Sequence, residues 1–227
     1  PARNSVLRIK RAANDIEELT EAFLLLARES ERGLTLETVS FNDLVAEEIE
    51  RVRLLAGDRP LQFRLVADCR MQLDASQKVL SVMLGNLLRN AVNYTEEGEV
   101  LARIGRGFVE ISDSGVGIAQ EEMDMVFRPF FRGGGAEAAP TRGAAPDSSR
   151  AKGAQSDSSR PEGAIADSSR PTSAARTARP RGGHGVGLTI VKRLSDRFSW
   201  PVRIESTPGV GTRVVVEFPG ARCEDLP

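Results

Sequence analysis

From Gly133 to Arg181 the chain holds one large apolar residue, Ile165, among Gly, Ala, Pro, Ser, Thr and Arg. Such a tract cannot bury enough surface to offset the entropy of ordering it, so its composition predicts a disordered insertion. Asp147-Ser148-Ser149-Arg150 recurs at 157–160 and 167–170. That repeat is too short for a solenoid unit and has no apolar face to stack. The core must therefore come from the two flanking stretches. The whole chain carries 31 basic and 32 acidic side chains, a net charge of −1, which argues against a surface built to grip nucleic acid or anionic lipid. One histidine, His184, excludes a His-based metal site or triad. Cys69 and Cys223 have no metal-ligand spacing and suit a reducing compartment. No apolar run approaches the roughly 18–20 residues of a membrane span. The first residue is Pro1 rather than Met, as expected of a fragment.

Periodicity places the elements. Val6, Ile9, Ala13, Ile16, Thr20, Phe23 and Ala27 step by threes and fours, which predicts a long coiled-coil-like helix over 3–30, ended by Gly33. Its stripe needs a partner helix from another segment or chain, or packs on its own domain. A short strand at 38–41 leads into a helix at 42–56, a turn at Asp58-Arg59-Pro60 and strands at 61–67 and 69–73. Asp74 or Ser76 is positioned to cap the next helix. Strands at 100–104 and 108–111 follow, then, beyond the insertion, a helix at 186–198 and strands at 202–206 and 212–218. Paired strands between helices predict an α+β sandwich, one mixed sheet with helices on one face.

Three clusters carry chemistry. In Asn86-Leu87-Leu88-Arg89-Asn90-Ala91-Val92-Asn93-Tyr94-Thr95, Asn86, Asn90 and Asn93 share one helix face. Amide oxygens there suit Mg²⁺ with its waters and phosphate oxygens, and equally suit a solvated face. Asp113-Ser114-Gly115-Val116-Gly117-Ile118 follows a strand. An aspartate at that point can accept a hydrogen bond from an exocyclic amine, and the glycines allow close backbone approach; tight turns use the same residues. Gly182-Gly183-His184-Gly185-Val186-Gly187-Leu188 opens a helix and offers N–H groups and a positive dipole end to phosphates. No Gly-Lys-Ser/Thr follows, and no strand precedes, so it is neither a Walker loop nor a dinucleotide fingerprint.

In this order, with Phe127-Arg128-Pro129-Phe130-Phe131-Arg132-Gly133 between the second and third, the clusters resemble the N, G1, F and G2 boxes of bacterial two-component sensor histidine kinases. The ending Ser206-Thr207-Pro208-Gly209-Val210-Gly211-Thr212, a strand and Pro219 is similar to that family's last hairpin. The resemblance implies a Bergerat-type two-layer ATP-binding fold over 34–219, with 133–181 inserted in the ATP lid and 220–227 a tail. Residues 1–33 resemble the second helix of the dimerisation and phosphotransfer hairpin, whose first helix is expected outside this chain.

Roles carry over residue by residue. Asn86 matches the Mg²⁺-binding asparagine, Asn90 the second amide near the phosphates, and Tyr94 the aromatic that stacks on adenine. Asn93 stands where many members have a phosphate-reaching lysine. Asp113 matches the aspartate that reads the adenine amino group, beside Gly115 and Gly117. Arg132 lies where some members face the γ-phosphate with arginine. Gly183, Gly185, Gly187 and Leu188 match the G2 box, and Thr212 a hydroxyl near the nucleotide. Related ATPases place a water-activating glutamate where this chain has Asn86, so the resemblance implies transfer rather than hydrolysis. The implied function is a protein-histidine kinase using ATP and Mg²⁺. Its γ-phosphoryl group goes to a histidine elsewhere and then to a response-regulator receiver aspartate. Homodimerisation through 3–30, no nucleic-acid partner and a cytoplasmic domain of an inner-membrane sensor, anchored only through absent upstream segments, complete the expectation. The alternative is a nucleotide-binding interaction module without transfer activity.

Overall fold

A computed structural model describes Thr20, residues 36–131 and residues 185–226. Apart from Thr20, the expected helix over 3–30 lies outside the described residues, as does the insertion over 133–181. Strand β1 (Glu37–Ser40) runs directly into helix α1 (Phe41–Ala56). Phe41, Leu44, Val45, Ile49, Val52 and Ala56 recur at helical spacing and are all buried. Gly57 ends the helix at φ 57°, a conformation that favours glycine.

The turn after α1 is held by Arg59, whose guanidinium joins two helix ends. Its Nε donates to Ala56 O at 3.0 Å and its Nη2 to Leu55 O at 3.1 Å. Its Nη1 reaches Val92 O at 2.6 Å and Thr95 O at 3.0 Å. The last carbonyls of a helix have no partner within it and carry its negative dipole end, so a cation answers both needs. Here one cation serves α1 and the next helix, α2 (Gln77–Tyr94), together.

Between them lie β2 (Leu61–Ala67) and β3 (Cys69–Ala75), and after α2 come β4 (Gly98–Gly105) and β5 (Phe108–Asp113). A 3-10 turn at Gln120–Met125 precedes α3 (Gly187–Phe198), β6 (Val202–Thr207), β7 (Gly211–Glu217) and β8 (Arg222–Asp225). Five strands form a sheet in the order β2-β4-β5-β7-β6, with β2 parallel to β4 and the other neighbours antiparallel. This is the expected mixed sheet. In addition β1, β3 and β8 form a separate three-stranded antiparallel sheet. Its last strand falls in the stretch the sequence reading leaves as a tail. Four residues without strong alternation carry little strand signal; pairing with β3 creates the strand.

Strand alternation sorts the five-stranded sheet into two faces. Ile204, Val214, Ile111 and Ala102 align across β6, β7, β5 and β4, as do Val202, Val216, Val109 and Ile104. These rows face the helices and belong to the core, which Leu80, Met83, Leu84, Leu88, Ile190 and Leu194 fill from the other side. The opposite face is charged: Arg213 bonds Glu110 at 2.7 Å and Glu205 at 2.9 Å, and Arg203 bonds Glu217 at 2.7 Å. Phe41, Phe218, Trp200 and Phe198 continue the core as an aromatic chain with successive ring centroids 4.9, 5.2 and 4.9 Å apart.

The cap of α2 differs from expectation. Ser76 occupies the N-cap position but makes no side-chain capping bond. Asp74 is engaged elsewhere, accepting from Thr38 Oγ1 at 2.7 Å and Arg222 Nη2 at 2.9 Å. Its carboxyl, lowered by these two hydrogen bonds, ties β3 to both of its strand neighbours.

Candidate functional site

The C-terminal half of α2 and the first turn of α3 meet through a glycine. A Cβ at Gly187 would lie 3.0 Å from Asn86 Oδ1 and 3.2 Å from Asn90 Oδ1. The two asparagines are thus brought against the start of a 12-residue helix, where backbone N–H groups and the dipole favour an anion. Asn86 is 3% exposed and donates its amide hydrogen to Val82 O at 2.8 Å. That bond to its own helix fixes the amide with Oδ1 on the Gly187 side. Leu188, the next residue of α3, packs against the core and anchors this helix end.

A second group lies at the end of the sheet. Asp113, Thr212 and Ser206 are aligned on neighbouring strands, one row beyond the apolar rows of the core face. Burial pushes the Asp113 carboxyl up to about 6; hydrogen bonds from the Gly115 and Thr212 amides and the Thr95 hydroxyl oppose that rise. The Gly115 amide is 2.9 Å from Asp113 Oδ1. Position 115 admits no side chain, because a Cβ would stand 2.3 Å from Tyr94 O at the end of α2. Val116 N–H completes this contact, donating to Tyr94 O at 3.1 Å. Gly117 has φ 68°, and a Cβ there would meet Thr207 O at 2.2 Å. The Asp-x-Gly-x-Gly loop is therefore clamped between α2 and the β6–β7 hairpin, with Tyr94 and Asp113 beside each other at its entry.

The segment after the 3-10 turn joins the site to α3. Thr189 Oγ1 donates to Phe127 O at 2.9 Å and Phe130 N–H to Gly185 O at 2.7 Å. Phe130 itself has φ 64° and is 61% exposed, a strained backbone state for a bulky residue. Arg132 and Gly183, both singled out by sequence, lie outside the described residues, as does His184. Asn93, one turn beyond Asn90 on α2, lines a hollow of about 660 Å³ with Asp58, Arg59, Pro60, Glu96 and Glu97.

Sequence reasoning passed over Thr95 and Ser206. Thr95 is fully buried, and its single hydroxyl proton has two acceptors to choose between, Ala91 O at 2.7 Å and the Asp113 carboxylate. Its one available signal was a polar residue closing an apolar helix beside Tyr94. Ser206 is visible only once β6 and β7 are set in register. Among the described residues no group of three or more His, Cys, Asp or Glu side chains is placed to hold a metal. The amide oxygens of Asn86 and Asn90 are instead the polar groups turned toward the start of α3.

A helix N-terminus set over paired amides, and a buried carboxylate at the end of a central strand, sit on one two-layer α+β sandwich. Residues 75–146 and 157–222 match the family described as histidine kinase-, DNA gyrase B- and HSP90-like ATPase. The chain belongs to this family and carries its ATP-binding domain. It is 25% identical over 223 residues to the sensor-like histidine kinase SenX3 of Mycobacterium tuberculosis, covering 96% of this chain and 44% of SenX3. The sensor histidine kinase YkoH of Bacillus subtilis is 26% identical over 218 residues, covering 94% of this chain and 39% of YkoH. The chain thus spans less than half the length of these curated relatives. Among solved structures, full-length ShkA in complex with AMPPNP shares the fold at a TM-score of 0.60 and 20% identity, over 100% of this chain and 40% of that one. The mycobacterial sensor histidine kinase MprB aligns at 0.54 and 22%, over 84% of this chain and 100% of that one. No helix among the described residues is long and apolar enough to cross a membrane.

Proposed function

We propose that this chain is the ATP-binding kinase part of a sensor histidine kinase, and that it transfers the γ-phosphoryl group of ATP to a histidine on another segment. The observation that carries the reading is the approach of Gly187, at the start of α3, to Asn86 and Asn90. Phosphoryl transfer requires little beyond positioning and charge neutralisation, and that junction supplies both. Asp113 accepts from the adenine amino group with Thr212 beside it, and Tyr94 stacks on the base. The Gly183, Gly185 and Gly187 amides hold phosphate oxygens with Asn90, and Arg132 faces the γ-phosphate. Amide oxygens without thiolate or imidazole suit Mg²⁺. Asn86 would hold that ion, which adds positive charge at the phosphates.

In the transfer, an imidazole nitrogen of the acceptor forms a bond to the γ-phosphorus. The bond to the β–γ bridging oxygen breaks, and ADP leaves with the electron pair. The imidazole proton passes to solvent. A receiver-domain aspartate of a response regulator then takes the phosphoryl group. Residues 1–33 serve as one helix of the dimer interface, 34–219 as the catalytic domain, in the cytoplasm beneath a membrane-bound sensor.

Calorimetric titration of Mg-ATP into this chain tests the first half of the reading. Micromolar to submillimolar binding, lost in Asp113→Asn and weakened about tenfold in Gly187→Ala by the methyl group pressed on Asn86 and Asn90, is the expected result. Incubation with γ-labelled ATP and a separate histidine-bearing helical fragment tests the second half. Label on that fragment's histidine is expected; binding without any transfer favours a nucleotide-binding interaction module. One observation points that way, since Asn93 stands in place of a lysine and lies in a hollow lined by acidic residues.

A further inference from the structure

Ser206 ends the core face of β6, in register with Thr212, which pairs in turn with Asp113. Its hydroxyl has three polar neighbours: the Ile118 amide at 2.8 Å, Gly211 O at 2.9 Å and Thr212 Oγ1 at 2.9 Å. A hydroxyl has one proton to donate and two lone pairs. The Ile118 N–H can only donate, so it takes one lone pair. The Gly211 carbonyl can only accept, so it takes the proton. The remaining lone pair receives the Thr212 proton. All three contacts are then satisfied, and Thr212 Oγ1 turns only lone pairs toward the space beside Asp113. Every other assignment leaves the Gly211 carbonyl without this donor.

We propose that Ser206 is a positioning residue for base selection, committing the Thr212 hydroxyl to accept hydrogen bonds next to the Asp113 carboxylate. Two acceptors side by side favour a purine with an amino group at C6, which donates. They disfavour one with an oxo group there, which presents a further acceptor. The same hydroxyl holds Ile118, so the loop that carries Asp113 and the hydrogen-bonding sense of Thr212 are set by one side chain. The inference rests on the reading of Asp113 as the base-reading residue.

The test compares ATP with inosine triphosphate, which carries oxo in place of amino at C6 and a proton on N1, in competition against a fluorescent ATP analogue on the whole chain. Ser206→Ala releases the Thr212 proton to meet an oxo group, and the ATP preference is expected to fall about five- to tenfold. Ser206→Thr keeps the hydroxyl and is expected to keep the preference. In a Thr212→Val background the Ser206→Ala change is expected to leave the preference untouched, because the residue it acts through is gone. Equal weakening of both nucleotides by Ser206→Ala, the signature of a merely structural role, overturns the proposal. So does an unchanged effect in the Thr212→Val background. Asp113→Asn separates the two levels through binding of Mg-ATP itself. If it binds ATP as tightly as the parent, the base reading fails and the proposal with it. If it loses binding while Ser206→Ala keeps the full ATP preference, only the role of Ser206 fails. Trp200 fluorescence checks that each variant is folded, and Thr212→Val alone reports on the acceptor should Ser206→Ala unfold.

Discussion

Between its ordinary value of 3.8 and about 6, Asp113 holds a proton in the folded domain that the unfolded chain has released. The folded state then binds more protons than the unfolded one, so stability falls as pH rises through that window and is level above it. Asp113→Asn removes this dependence. Its unfolding free energy is expected to be flat from pH 4 to 8 at this site and to exceed the parent's at pH 8 by about 1–3 kcal/mol. Urea unfolding at pH 4.5 and pH 8 measures the difference; a parent more stable at pH 8 than the variant would contradict it. With Asp113 as the proposed acceptor of an adenine amino group, nucleotide binding runs the other way: the ionised carboxylate is the better acceptor, and ATP affinity is expected to rise with pH over the same window. On that proposal stability is given up for recognition at one carboxyl group. Asp113 and its glycines were legible in sequence because their spacing after a strand is a local pattern. Thr95 and Ser206 were not, because a hydroxyl acquires its partner only through contacts distant in the chain.

The elements depend on one another at their ends more than their propensities suggest. Arg59 reaches carbonyls of both α1 and α2. Losing it leaves half-buried helix-end acceptors without a donor. Arg59→Ala is expected to destabilise the domain by about 2–4 kcal/mol. Arg59→Lys, which lacks the planar fork, is expected to recover only part of the loss. Denaturant midpoints of the three proteins give the comparison. Phe218 packs between Phe41 and Trp200 and is 2% exposed. Phe218→Ala is expected to cost about 3–5 kcal/mol, with Trp200 fluorescence as the reporter. The strands and helices themselves were readable: the stripe from Phe41 to Ala56 and the run from Val79 to Val92 are helical periods, and β2 to β7 alternate. The cap of α2 and strand β8 were not, because Asp74 is claimed by Thr38 and Arg222 and β8 exists only against β3.

At the scale of the whole molecule, the described chain returns to nearly the point it leaves. Phe130 N–H and Gly185 O are 2.7 Å apart, so residues 131 and 185 flank the long insertion at neighbouring positions. Replacing 134–181 by a linker of about eight residues is expected to leave the fold intact and to raise stability by about 1–2 kcal/mol through the shorter loop. Calorimetric melting of both forms checks this; a loss of cooperative unfolding would show that the insertion contributes to the core. By itself the sequence determined the helices and strands of the described residues from β1 to β7, and which asparagines, glycines and aspartate are candidates for nucleotide chemistry. Each of these is a matter of local period, composition or spacing. Tertiary structure alone decided that Gly187 meets Asn86 and Asn90. It also decided that Ser206, Thr212 and Asp113 form one row, and that a second sheet recruits β8. Those outcomes depend on strand register and helix packing, which join residues as far apart in the chain as Cys69 and Asp225 and leave no mark on the residues near either one.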